Sequence, residues 1–104
     1  MLVGFTRHAA ERFSERLNIT IKQDQRVNIS SAFTLAKTYM NDKSGRKVEA
    51  WCYNDTTQKM VMIVDSLTRD VVTVYLGSLD DVYGTNVIAG CYALVAKKQQ
   101  PYKH

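Results

Sequence analysis

The sequence predicts an α+β domain in which two N-terminal helices pack on a small antiparallel β-sheet, with a C-terminal helix or strand after it. Two observations predict this. Through the first 40 residues apolar side chains recur every three to four positions, the period of an amphipathic helix. From residue 46 to 77 the pattern changes to short alternating or wholly apolar runs cut by turn residues, as in a meander. The chain has 104 residues, 45% of them hydrophobic and 23% charged, which suits one globular domain and excludes wholesale disorder. Residues 1–98 are expected to form that domain, and 99–104 a loose polar tail.

Each element has its own warrant. Thr6 is a plausible N-cap for a helix over residues 6–17, in which Phe5, Ala9, Phe13 and Leu17 form one stripe. A second helix is expected over residues 24–41, facing inward through Ile29, Phe33, Ala36 and Met40, with Ala32, Leu35 and Tyr39 widening that face. Asn41-Asp42-Lys43-Ser44-Gly45 has the chemistry of a turn. In the strand expected at 46–53, Val48, Ala50 and Cys52 face one way and Lys47, Glu49, Trp51 and Tyr53 the other. Asn54-Asp55-Thr56-Thr57 then turns into a strand at 59–65, apolar on both faces and so suited to cover on both sides. After a turn at 66–70 comes a strand at 71–77, with Val71, Thr73 and Tyr75 on one face and Val72, Val74 and Leu76 on the other. Phe13, Leu17, Phe33, Val61, Ile63, Val72 and Val74 should be largely buried. Thr85–Lys98 reads as a helix capped by Thr85, with Val87, Ile88, Cys91, Leu94 and Val95 inward; its β-branched residues and Gly90 leave a strand as the alternative.

The longest apolar runs are far too short to cross a bilayer, and the first residues lack a basic region followed by a long apolar stretch. A cytoplasmic location is therefore expected. The two cysteines, Cys52 and Cys91, have no partners at metal-site spacing and are expected to be reduced, buried small hydrophobes; no metal or cofactor is implied. The formal net charge is +4, and it sits wholly in residues 1–50, which hold nine Lys/Arg against five Asp/Glu. Such a bias suits a surface that meets phosphate, because basic groups release condensed counterions on docking.

The most distinctive string runs from Phe5 to Arg16. His8, Arg12 and Arg16 follow at intervals of four and so share one side of the first helix. An imidazole can pass a proton near neutral pH, and guanidinium forks match a phosphate. A solvated face, with the arginines paired to Glu11, Glu15 or other acids, is the plainer alternative. Lys43, Arg46 and Lys47 form a second basic cluster on the turn into the first strand, near Trp51 and Tyr53; basic and aromatic groups interleaved this way can clamp a backbone and stack a base. Arg69, in the turn before the last strand, could join either group.

The His8-Ala9-x-x-Arg12-x-x-x-Arg16 string on a first helix, then a second helix, then strands ending in the Thr73-x-Tyr75 pair, resembles the RelE-like endoribonuclease superfamily, including BrnT-type toxins and phage RegB-like ribonuclease domains. The likeness covers about residues 4–77. Residues 18–24 are longer than the usual connection, and the part after Gly77 has no counterpart. The resemblance implies metal-independent RNA cleavage, in which a 2′-hydroxyl attacks the adjacent phosphate and leaves a 2′,3′-cyclic phosphate. It implies His8 as acid or base, Arg12 and Arg16 on the phosphate, and hydroxyl contacts from Thr73 and Tyr75. Lys43, Arg46, Lys47, Tyr53 and Arg69 would bind RNA, and Tyr102 and His104 are a reserve pair. The expected partners are RNA, ribosome-associated mRNA included, and a cognate antitoxin or host protein. The alternative is a non-catalytic module that grips RNA or a host protein with the same basic face.

Overall fold

Among the described residues, a mixed six-stranded sheet carries one helix on each face. The computed structural model describes residues 1–18, 20–22, 25–55, 57–77 and 82–99, with only the backbone of 82–84, 98 and 99. In chain order the elements are β1 (Leu2–Phe5), α1 (Arg7–Leu17), β2 (Val27–Asn28), β3 (Phe33–Met40), β4 (Lys47–Tyr53), β5 (Met60–Asp65), β6 (Asp70–Leu76) and α2 (Val82–Gln99). The strands lie in the order β2-β1-β6-β5-β4-β3. Neighbours are antiparallel except β1 and β6, which run parallel with Gly4 opposite Asp70 and Phe5 opposite Val71.

This overturns the expected pair of N-terminal helices on a small antiparallel sheet. The first helix is where the pattern placed it. The Thr6 hydroxyl accepts from the Ala9 amide at 3.1 Å, and Asn18 closes the helix in the left-handed region at φ 55°. The segment expected as a second helix is instead β2, a turn and β3. Phe, Thr and Tyr in Phe33–Met40 favour a strand, and a bulge between Leu35 and Lys37 hides the alternation. That extra residue lets Ala36 and Tyr39, three apart, reach the same face, which imitates a helical repeat. Strand β1 was also not expected; its parallel partner lies 66 positions further along the chain.

The sheet has a core on each side. Ala9 and Phe13 of α1 pack with Val3, Phe5, Met62, Val64, Val71 and Val74 on one side. Ile88, Cys91 and Val95 of α2 pack with Ala50, Cys52, Val61 and Ile63 on the other. Strand β5 contributes to both and is buried along its whole length, as its two-sided apolar run required. Leu17, Phe33 and Val72 are only half-buried, unlike the other residues expected in the core. A second bulge, where Ile63 opposes Thr73 but Val64 opposes Val71, changes the expected faces of β6. Val71 turns to the α1 side with Val74 and Leu76, while Val72 joins Tyr75 on the α2 side.

The C-terminal segment is helical and begins at Val82, so Thr85 lies inside it; Leu94, expected inward, is 37% exposed. The Tyr92 hydroxyl donates to the Tyr53 carbonyl at 2.7 Å and accepts from the Met60 amide at 3.2 Å, fixing α2 to the sheet. Among the described residues no helix is long and apolar enough to cross a membrane. Tyr102 and His104 lie outside the described residues.

Candidate functional site

The side chains of the α1 row are engaged mostly with the protein itself. His8 is exposed in the first turn. Arg7 pairs with Glu11 at 3.3 Å and Arg12 with Glu15 at 2.7 Å, the i,i+4 and i,i+3 pairs that helical spacing favours. Arg16 is half-buried and donates to the Val74 carbonyl. Strand pairing between β1 and β6 ends at Phe5 and Val71, so Arg16 supplies a donor to the stretch of β6 beyond it. Arg16→Ala should therefore cost about 1 kcal/mol in a urea melt, the usual worth of such a bond. An unchanged midpoint would show that the contact carries no stability.

The sheet separates residues that the motif groups together. Phe13 and Ala9 hold α1 against the side bearing Val71, Val74 and Leu76. Thr73 opposes Ile63, and Tyr75 opposes Val61, on the side covered by α2. His8 and the helix arginines thus stand on one face, and Thr73 and Tyr75 on the other. The expected convergence of proton-transfer group, cationic forks and hydroxyls at one phosphate does not occur, which corrects the site read from the motif.

Thr73 and Tyr75 instead line a groove of about 540 Å³ on the α2 face, with Tyr39, Asn41, Lys43 and Asp42 at its rim and Ile63 and Val72 on its floor. The turn after β3 builds that rim. Asn41 Oδ1 accepts from the amides of Lys43 and Ser44, the Gly45 amide donates to the Asn41 carbonyl, and Gly45 takes φ +67°, which glycine adopts without strain. Lys37 lies on the same face, its ammonium 4.8 Å from the centre of the Tyr39 ring. Two tyrosines, a threonine hydroxyl and two lysines thus share one open surface.

The remaining expected RNA-binding residues are dispersed. Arg46 is held at 2.6 Å by Asp65, a buried carboxylate that also accepts from the Leu67 and Thr68 amides. Burial pushes the Asp65 carboxyl up, but the Thr68 amide, the Arg46 guanidinium and the Leu67 amide outweigh it, and the group stays below its ordinary value. Arg69, at φ 61°, pairs with Glu49 at 3.1 Å, and Glu49 also accepts from the Trp51 ring nitrogen. Trp51 and Tyr53 pack on the α1 side, Tyr53 against Phe33 with ring centres 5.2 Å apart. Lys47 precedes Val48, whose side chain faces α2, and so projects the other way. With Arg26 beside Asp70 at 3.9 Å, every arginine of the chain is ion-paired with a carboxylate or hydrogen-bonded to a carbonyl. Among the described residues Lys37, Lys43 and Lys47 make no ion pair, so no neighbouring carboxylate offsets their charge.

Tyr39 and Asn41 were not expected at a site. The signal was present: a Phe-Thr-Leu-Ala-Lys-Thr-Tyr run before a turn rich in Asn, Asp and Gly is a hairpin pattern once that run is read as a strand. No family model, curated protein or solved structure matches this chain.

Proposed function

We propose that the protein is a non-catalytic RNA-binding module that takes single-stranded RNA across its α2 face. The observation that carries this reading is the groove in which Tyr39, Tyr75 and Thr73 stand beside Lys43. Aromatic rings offer stacking surfaces to unpaired bases, hydroxyls suit the ribose and phosphate, and lysine meets the backbone as a point charge. Engagement of the arginines elsewhere, and the separation of His8 from the groove hydroxyls, favour gripping over cleavage.

The test is fluorescence anisotropy with a labelled single-stranded RNA across a salt series. Binding should weaken as salt rises, and each lysine removed should flatten the slope of log K against log salt by about 0.7. Lys37→Ala and Lys43→Ala should do this more than Lys47→Ala, which projects to the opposite face. Tyr75→Leu, which keeps an apolar side chain in place, should weaken binding by about 1–3 kcal/mol if a base stacks there. RNA incubated in excess chelator should remain intact. Cleavage to 2′,3′-cyclic phosphate ends that His8→Ala abolishes would overturn the reading in favour of the endoribonuclease implied by the family resemblance.

A further inference from the structure

Cys52 on β4 and Cys91 on α2 meet in the core under α2, each only 1% exposed. The two side chains are close enough for a sulfur–sulfur hydrogen bond. That bond favours a Cys91 thiolate, burial opposes it, the nearby Lys37 ammonium adds to it, and the Cys91 thiol is drawn down to about 7. The next residue of each element is bonded as well, since the Tyr92 hydroxyl donates to the Tyr53 carbonyl at 2.7 Å. A contact outside the sulfurs thus ties α2 to β4 beside the cysteine pair. RNA binding in the groove makes no use of this pair.

We propose that Cys52 and Cys91 are a reversible disulfide site that clamps α2 to β4 by exchange with a low-molecular-weight disulfide such as glutathione disulfide. The Cys91 thiolate attacks one sulfur of that disulfide, breaking its S–S bond and expelling a thiolate that takes up the proton Cys91 has lost. Cys52 then gives up its proton and attacks the Cys91 sulfur, and the second small thiolate leaves and is protonated. Two protein thiols are oxidised to one disulfide, and one small disulfide is reduced to two thiols. Because both sulfurs are buried, the reagent enters through local opening of α2. The native packing that brings the sulfurs back together then favours the closed bond over two mixed disulfides.

The experiment equilibrates the full chain in glutathione buffers of graded oxidised-to-reduced ratio, once native and once in concentrated urea, with acid quenching and intact-mass analysis. In the native protein the bond should survive at least a tenfold more reducing ratio than in urea, and peptide mapping should join Cys52 to Cys91 within one chain. Oxidised protein should melt roughly 10 °C above reduced protein, because the cross-link restricts the unfolded chain. Cys91→Ser should melt at one temperature in both buffers, a comparison internal to the variant that holds even if the substitution loosens the core. Equal ratios in urea and native buffer, a native pair that never oxidises, bonds only between chains, or a redox-dependent melt in Cys91→Ser would each overturn the proposal. All of these readouts are independent of RNA, so they fail or succeed separately from the binding function.

Discussion

Phe13→Ala is expected to destabilise the protein by about 3–5 kcal/mol, the cost of deleting a buried ring and leaving a cavity. Ala9 and Phe13 are the buried side chains of α1, and Ala9 offers only a methyl group. The Phe13 ring meets Phe5 edge-on, with centres 5.5 Å apart at 87°, so it joins α1 to β1 as well as to the sheet below. Neither a helix nor a strand can close the gap without breaking the Thr6 contacts to Val71. Small domains have only about 5–15 kcal/mol in hand, so the melting temperature should fall by roughly 15–25 °C. A urea melt showing less than about 1 kcal/mol would mean that α1 is attached in some other way.

Asp65→Ala is the second large effect, expected at about 2–3 kcal/mol. An exposed ion pair of this kind would contribute little, but the Asp65 side chain is 8% exposed and serves three donors at once. Its removal strands the Leu67 and Thr68 amides in the β5–β6 turn and leaves Arg46 without its carboxylate. The pH dependence has a definite sign. The folded pKa lies below the ordinary 3.8, so the contribution is complete above that value and is lost as pH falls through the folded pKa. Acid titration of stability should therefore steepen below about pH 4 in the native protein. The same slope in Asp65→Asn would assign it to another carboxylate.

The sequence was legible where one local rule acted alone. Thr6 and the four-residue stripe located α1, and the two-sided apolar run of β5 correctly implied cover on both faces. It misled where tertiary pairing adds or removes a residue from the count. The bulge in β3 gives Ala36 and Tyr39 a helix-like spacing, and the bulge opposite Ile63 moves Val71 and Val72 to unexpected faces. The short β1 is unreadable for a different reason: four residues carry little periodicity, one partner is only two residues long and the other is remote. At the site, the shared face of Thr73 and Tyr75 followed from strand alternation. Which helix covers that face depends on how the chain crosses the sheet, and no residue pattern encodes it locally. The Arg7–Glu11 and Arg12–Glu15 pairs, by contrast, were open to reading from spacing alone.

The parallel pairing of β1 with β6 also sets an order of assembly. Strands β3 to β6 follow one another through the sheet, and each can zip onto its predecessor as a hairpin. Strand β1 has the two-residue β2 within reach, but it must close a loop of more than sixty residues before it joins β6 and the rest of the sheet, a late and entropically costly step. As the chain leaves the ribosome, its first strand therefore emerges long before Asp70 and Val71 exist to receive it. The central meander should protect its amides first, with β1 and α1 docking afterwards. Pulsed hydrogen exchange during refolding would show this as early protection in β4, β5 and β6 and delayed protection at the Gly4 and Thr6 amides, which donate to the Arg69 and Val71 carbonyls; simultaneous protection would mean that the long loop closes in the nucleus itself.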